Sequence, residues 1–365
     1  MTSPDQVLGP KSRADALATV SGSPYVLVGC SSFQGQKWTG GIALIRESNL
    51  SGEAAGLVQA CVEMPAGVPA LVCLSDRDPF TGQVIAVSGS DDGAVGMWSV
   101  STGLQPSIQE ASSVRRHDDI EGLPHLSTVI QPSLHPSTSS MPPRQVSCIA
   151  PSGQASSQVV STSWDGTAVL WDCTSTGPRR VSELRPGQHA VHAAAWCNSS
   201  VALATAADGC VFWDPRSGEA GRSGLVGGAR ELQREGVAPG PAAARAGLTA
   251  VAACENEQAV YLGTDAGGLL WLDRRAAGGG RPQTLASPHT EGIRQLLLGG
   301  ENGSILASSD TAGKVVLAHT TDAALQRVVH SAAVPGGLAL GWQGPQLLLG
   351  GVAGVRMLAL EDCTF

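Results

Sequence analysis

Ser161, Asp165 and Trp171, with His117 upstream, are the residue types in this chain that could do chemistry. A serine hydroxyl, an imidazole and a carboxylate together can form the relay that activates a nucleophile. The surrounding sequence argues against that use. No Gly-x-Ser-x-Gly turn is present to hold a serine in the strained position a nucleophile needs. Gly313-Lys314 is followed by Val315, which lacks the hydroxyl a phosphate-binding loop offers to magnesium. There is no His-Glu-x-x-His and no Cys-x-x-Cys, so neither a metal nor a cofactor is expected. The same residue types also suit a structural duty: a loop His, a strand Ser, a turn Asp and a Trp indole can pair with one another, and a buried network in which every member is paired stiffens the hairpin that carries it. His117, Ser161, Asp165 and Trp171 are expected to form such a network, and the chain is expected not to be an enzyme. The rival is a hydrolase, which predicts turnover dependent on one Ser/His pair.

The element that positions these residues is a hairpin. Ser161–Asp172 reads Ser-Thr-Ser-Trp-Asp-Gly-Thr-Ala-Val-Leu-Trp-Asp, with Asp165-Gly166 making the turn. Its flanks, Val159-Val160 and Ala168–Trp171, have the composition of half-buried strands. A lone hairpin cannot bury its apolar face, so it needs copies stacked beside it. Ser88–Trp98 and Ala204–Asp214 are close copies; Leu262–Asp273, Ser308–Leu317 and Leu349–Leu358 are weaker ones, and Val26–Ile45 is an opening variant. Taking Gly41, Gly93, Gly166, Gly209, Gly267, Gly313 and Gly354 as the turn glycines, the intervals are 52, 73, 43, 58, 46 and 41 residues. A unit of about 40–45 residues carrying Trp-Asp is the signature of WD-repeat blades. The expected fold is all-β, a seven-bladed WD-repeat β-propeller with about four strands per blade.

Lys and Arg number 23 against 31 Asp and Glu, a net charge of −8, which argues against a direct nucleic-acid binder. The nine cysteines lack paired spacing, and several fall in apolar runs, so a reducing compartment is expected. Met1–Arg13 has no apolar core of a signal peptide. Leu338–Leu360, the most apolar segment, is interrupted by Gly, Pro345 and Arg356 and reads as strands of the last blade, not a membrane span. Residues 1–24 read as a polar, partly flexible tail able to donate a ring-closing strand, and the propeller as 25–362. Blade one is expected at about 25–60, two at 61–110, four at 181–216, and five to seven at 248–284, 285–325 and 326–362. Pro- and Ser-rich 121–144 and Gly/Ala/Arg-rich 218–247 read as inserted loops that account for the two longest intervals. In blade four, Ala204 stands where the network serine is expected; in blade five, Leu272 stands where the Trp is.

The least regular stretch is Ser31–Gly41, read as a long loop joining two apolar strands. Trp38 precedes its turn glycines instead of following them. The loop can project the indole outward as an interface anchor, or fold it back over blade one; composition does not choose.

Val26–Ile45, with its Leu-Val-Gly-Cys-Ser-Ser-Phe-x-Gly-x-x-Trp-Thr-Gly-Gly pattern, resembles the first blade of the WD-repeat subunit of the methylosome. Val62–Leu71 and His117-Asp118-Asp119-Ile120 are similar to the same family. That subunit is the obligate partner of the type II, symmetric-dimethylating protein arginine methyltransferase. The resemblance implies a non-catalytic member of a hetero-oligomer, cytoplasmic and nuclear, without membrane contact. It implies that Trp38 enters a pocket on the methyltransferase's N-terminal barrel domain, with Phe33, Gln36 and Lys37 lining the contact. It further implies that the subunit helps present basic histone and Sm-protein tails. A ubiquitin-ligase substrate receptor is the alternative adaptor role.

Overall fold

Apolar β-branched runs separated by Gly- and Asp-bearing turns favour strands over helices, and the chain folds accordingly. The computed structural model describes residues 12–359 except 35–36, 48–57, 78–82, 104, 116–144, 154–156, 175–176, 188, 198, 207–208, 217–222, 227–246, 254–258, 274–282, 287, 301–302, 321–327, 334–338 and 353. The first sheet is β1 (Ser12–Thr19), β2 (Tyr25–Gln34), β3 (Lys37–Arg46) and β4 (Val58–Met64). The second is β5 (Ala70–Arg77), β6 (Val84–Gly89), β7 (Ala94–Ser101) and β8 (Ser107–Arg115). The third is β9 (Val146–Pro151), β10 (Gln158–Ser163), β11 (Ala168–Thr174) and β12 (Gly177–Leu184). The fourth is β13 (Val191–Cys197), β14 (Ser200–Thr205), β15 (Gly209–Trp213) and β16 (Ser223–Val226). The fifth is β17 (Leu248–Ala253), β18 (Ala259–Thr264), β19 (Leu269–Asp273) and β20 (Gln283–Ala286). The sixth is β21 (Ile293–Gly299), β22 (Ile305–Asp310), β23 (Lys314–His319) and β24 (Val328–Ala333); the seventh, among the described residues, is β25 (Ala339–Gln343), β26 (Gln346–Gly351) and β27 (Gly354–Ala359).

Each sheet is an antiparallel meander in chain order. The inner strands β1, β5, β9, β13, β17, β21 and β25 touch in succession, and β25 touches β1, so the sheets close into a ring. Closure is why the chain has seven cores instead of one. A separate buried cluster fills each of the seven sheet-to-sheet interfaces, from Leu27, Ile42 and Trp98 between sheets one and two to Val26, Val28 and Leu348 between seven and one. The second strands are therefore covered on both faces. Val159, Val160 and Ser161 are fully buried, where the sequence predicts half-buried strands. Stacking on both sides explains the difference, because continuous apolar runs mark a doubly covered strand.

The blade boundaries differ from those expected. Ser12–Thr19, inside the stretch read as a tail, is the inner strand of the first sheet and pairs with β2. Val328–Ala333, assigned from sequence to the seventh blade, is the outer strand of the sixth. A repeat counted between Trp-Asp landmarks is offset by one strand from the sheet, because the outermost strand follows the landmark. β16 lies within 218–247, so that stretch supplies the outer edge of the fourth sheet. The Pro- and Ser-rich segment 121–144 lies outside the described residues.

Six of the seven expected turn glycines, Gly93, Gly166, Gly209, Gly267, Gly313 and Gly354, have φ between 82° and 92°, the left-handed region an L side chain resists. Gly41 does not turn. It lies within β3, paired with Cys30. The stretch Ser31–Gly41 is therefore not a loop but the end of an extended hairpin, whose pairs run Ser31–Gly40, Ser32–Thr39, Phe33–Trp38 and Gln34–Lys37. Gly40 is needed for close approach: a Cβ there would collide with the Ala66 carbonyl and the Gly67 backbone.

Candidate protein-binding face

The tight turns between second and third strands converge at one end of the ring, and backbone geometry aims them. Asp91 N–H donates to the Gly67 carbonyl, Trp164 to Gln145, Asp265 to Gly247 and Thr311 to Gly292, at 3.0–3.1 Å. Each bond ties a turn to the chain entering an inner strand and turns that residue's side chain toward the axis. Asp91 and Trp164 from these turns, with Arg13 and Asp15 of β1, Trp38 of β3 and Arg294 of β21, line a mouth cavity of about 550 Å³. It lies above a channel of about 1120 Å³ walled by the inner strands.

Trp38 and Phe33 sit opposite each other on the extended first hairpin, ring centroids 6.0 Å apart and tilted by 47°. They remain 43% and 53% exposed, so the indole is neither sunk beneath its own strands nor free of the fold. Trp38 Nε1 donates to Asp91 Oδ2 at 2.6 Å, crossing from the first blade to the second. Gln36 lies outside the described residues, and Lys37 is placed by its backbone alone, opposite Gln34.

Charges at the mouth are coupled. Arg13 and Ser31 both bond Asp15. Burial pushes the Asp91 carboxyl above its usual range; the Trp38 hydrogen bond opposes this, and so do Arg13 and Arg294, whereas Asp15 adds to it. Burial and Arg294 lower the pKa of His192, which meets the Trp164 ring edge-on at 6.3 Å. Cys73, on the channel wall, is pushed by burial to about 12, which leaves it an unreactive thiol.

Of the expected hydrogen-bond network, Trp171 Nε1 donates to Ser161 Oγ at 2.7 Å. Asp165 Oδ1 accepts from Thr167 N and Oγ1 and braces the turn. Trp98 and Ser88 repeat the indole–hydroxyl bond at 2.8 Å. His117 lies outside the described residues. In the fourth sheet Trp213 pairs with Val201 as Trp171 pairs with Val159, so Leu203, not Ala204, occupies the serine position.

A His-bearing network that sequence reasoning missed lies in the sixth sheet. His289 Nδ1 is 2.9 Å from Asp310 Oδ2, and Nε2 is 2.8 Å from Ser308 Oγ. These are the contacts of a nucleophile relay, but Ser308, His289 and Asp310 are 1%, 3% and 0% exposed. No substrate reaches them, and Asp310 Oδ1 is taken by the backbone N–H groups of Ala312 and Lys314. The group locks a turn. A histidine 19 residues before Ser-Ser-Asp was the available signal. Among the described residues no set of three or more His, Cys, Asp or Glu could hold a metal ion.

Burial is the main cause lowering the His289 pKa below 6.5, with Asp310 opposing and Lys314 assisting. The neutral ring donates Nδ1–H to Asp310 and accepts at Nε2. Between the folded and unfolded pKa values the unfolded chain binds the extra proton, so stability rises with pH through that window. The contribution is complete above about 6.5 and is lost as pH falls below it. Thermal melts from pH 7.5 to 5 are expected to fall more steeply for the natural protein than for His289→Gln; parallel curves would refute this.

Seven sheets closed on their inner strands, turn glycines in register and indole–hydroxyl hairpin locks define the class: an all-β, seven-bladed WD-repeat β-propeller. The chain matches no protein-family profile and no curated protein sequence. Among solved structures it is similar to a chain of the COPII outer coat vertex on membranes, at 15% identity and TM-score 0.68, covering 97% of this chain and 86% of that one. It is similar to Sqt1 from Chaetomium thermophilum at 17% identity and TM-score 0.65, covering 98% and 84%. The same organism's Sqt1 bound to the N-terminus of ribosomal protein L10 matches at 16% identity and TM-score 0.63, covering 97% and 86%. The likeness is one of fold.

Proposed function

We propose that this chain is a non-catalytic scaffold of a protein arginine methyltransferase complex, the methylosome, and docks on the type II enzyme through its first hairpin. The observation that carries the reading is Trp38, 43% exposed beside an exposed Phe33 on a hairpin extended beyond the tight turns of the other blades. Aromatic anchors on rigid elements are the usual hot spots of protein interfaces. This hairpin lies within Val26–Ile45, the stretch that resembles the methylosome subunit. A propeller of this fold is recorded with another protein's N-terminus bound, which supports a scaffold role. In this reading the subunit stabilises the enzyme and helps present histone and Sm-protein tails, in the cytoplasm and nucleus. Affinity capture of the tagged chain followed by mass spectrometry is expected to recover the methyltransferase and Sm proteins. Recovery of cullin-linked adaptors in their place would assign it to a ubiquitin ligase.

A further inference from the structure

We infer that Asp91 is a positioning residue for docking: its carboxylate holds the Trp38 indole in one orientation before the partner arrives. The inference rests on the docking role of Trp38 proposed above. An aromatic side chain near a hairpin end loses rotamer freedom on binding, and fixing it beforehand removes that cost. The fixing contact is a charge-assisted bond, Nε1–H to Oδ2 at 2.6 Å.

The turn that carries Asp91 divides its work between two acids. Asp92 Oδ1 accepts from Ser90 Oγ and from Ala94 N, and so braces the turn. The corresponding turn-bracing acid of the third blade is Asp165. Asp91 has no part in that bracing; its backbone N–H is fixed to Gly67 and its side chain is turned to Trp38. The third and sixth blades carry Trp164 and Thr311 at the same place in the turn, so a carboxylate is not what the turn requires.

Gly67 is the floor on which the pair rests. A Cβ at Gly67 would run into Asp91 Oδ2 and stand 2.9 Å from both Trp38 Nε1 and Ser31 Cβ. The indole, the carboxylate and a bare backbone therefore form one packed unit bridging two blades, and Phe33 backs the indole across the hairpin.

The test uses the full chain in four variants, Asp91→Ala, Asp91→Asn, Gly67→Ala and Trp38→Ala, and purified type II protein arginine methyltransferase as the probe. In the chain alone, the Trp38 indole N–H resonance, assigned by its loss in Trp38→Ala, is expected to shift and exchange faster with water in Asp91→Ala and Gly67→Ala. Asp91→Asn keeps an oxygen acceptor and is expected to retain most of the protection. Affinity for the methyltransferase is expected to fall about 5- to 15-fold in Asp91→Ala, at an unchanged melting temperature, and to stay within about threefold in Asp91→Asn. An indole signal indifferent to Asp91→Ala overturns the inference. So does undiminished binding by Asp91→Ala when Trp38→Ala has lost it. If Trp38→Ala itself binds normally, the docking role is wrong, and the indole signal still reports separately whether Asp91 holds the ring.

Discussion

Trp38→Ala is expected to weaken binding to the type II methyltransferase by about 2–4 kcal/mol, roughly 30- to 1000-fold in Kd, with little change in thermal stability. The asymmetry follows from where the side chain sits. Its ring is nearly half exposed, so the free protein gains little from its burial, whereas a partner pocket would remove that surface from water. Within the fold the variant loses one hydrogen bond, to Asp91, and leaves a carboxylate that still has Arg13 and Arg294 nearby. Phe33 provides a graded control, because Phe33→Ala removes the supporting ring and leaves the indole in place. Titration calorimetry with the purified enzyme decides the matter: a Kd unchanged from the natural protein would remove the first hairpin as the anchor.

The local parts of this architecture were legible in the sequence. A tight Asp-Gly turn needs a residue at positive φ, so Gly93, Gly166 and Gly209 announced their hairpins without reference to anything distant. Gly41 misled because glycine has a second use. Beside it, Gly40 clears room for the Ala66-Gly67 backbone in a strand that keeps running, and no local residue marks that a hairpin will continue. Strand ownership was illegible for a similar reason: Val328–Ala333 is assigned to a sheet by its pairing with Lys314–Ala318, not by its own composition. His289 escaped because its blade has Ala318 in the Trp slot, so the Trp-Asp landmark that drew attention to Ser161 was missing there. The mouth cavity was invisible for the most physical of reasons. Asp15, Asp91, Trp164 and Arg294 come from four different blades, and only closure of the ring brings them together.

The hairpin lock itself makes the second large prediction. Trp171 is fully buried between the second and third sheets, against Val146, Val159 and Met97. Truncating it to alanine is expected to cost about 3–5 kcal/mol and to lower the melting temperature by about 4–7 °C, because the unfolding entropy of a chain this long leaves little more than about 1 °C per kcal/mol. Packing and hydrogen bonding can be separated. Ser161→Ala leaves the cavity filled but strands the indole N–H away from water, at a cost of about 1–3 kcal/mol. Trp171→Phe removes donor and part of the ring together. The seventh sheet supplies the contrast: Trp342 Nε1 is buried with no hydrogen-bond partner among the described residues, so Trp342→Phe is expected to lose area without losing a bond of this kind. Trp171→Phe is therefore expected to be the more damaging of the two, measured as melting temperature by differential scanning calorimetry. Equal losses would mean that the indole–hydroxyl bond contributes nothing beyond packing, and that the repeated Ser and Trp are kept for shape alone. Because Trp342 is only partly buried, a larger loss at Trp171 means a bond only if Ser161→Ala, which leaves the ring in place, is destabilised as well. Each blade carrying the pair is then locked by a bond the weaker repeats must replace, as the sixth does with His289, Ser308 and Asp310.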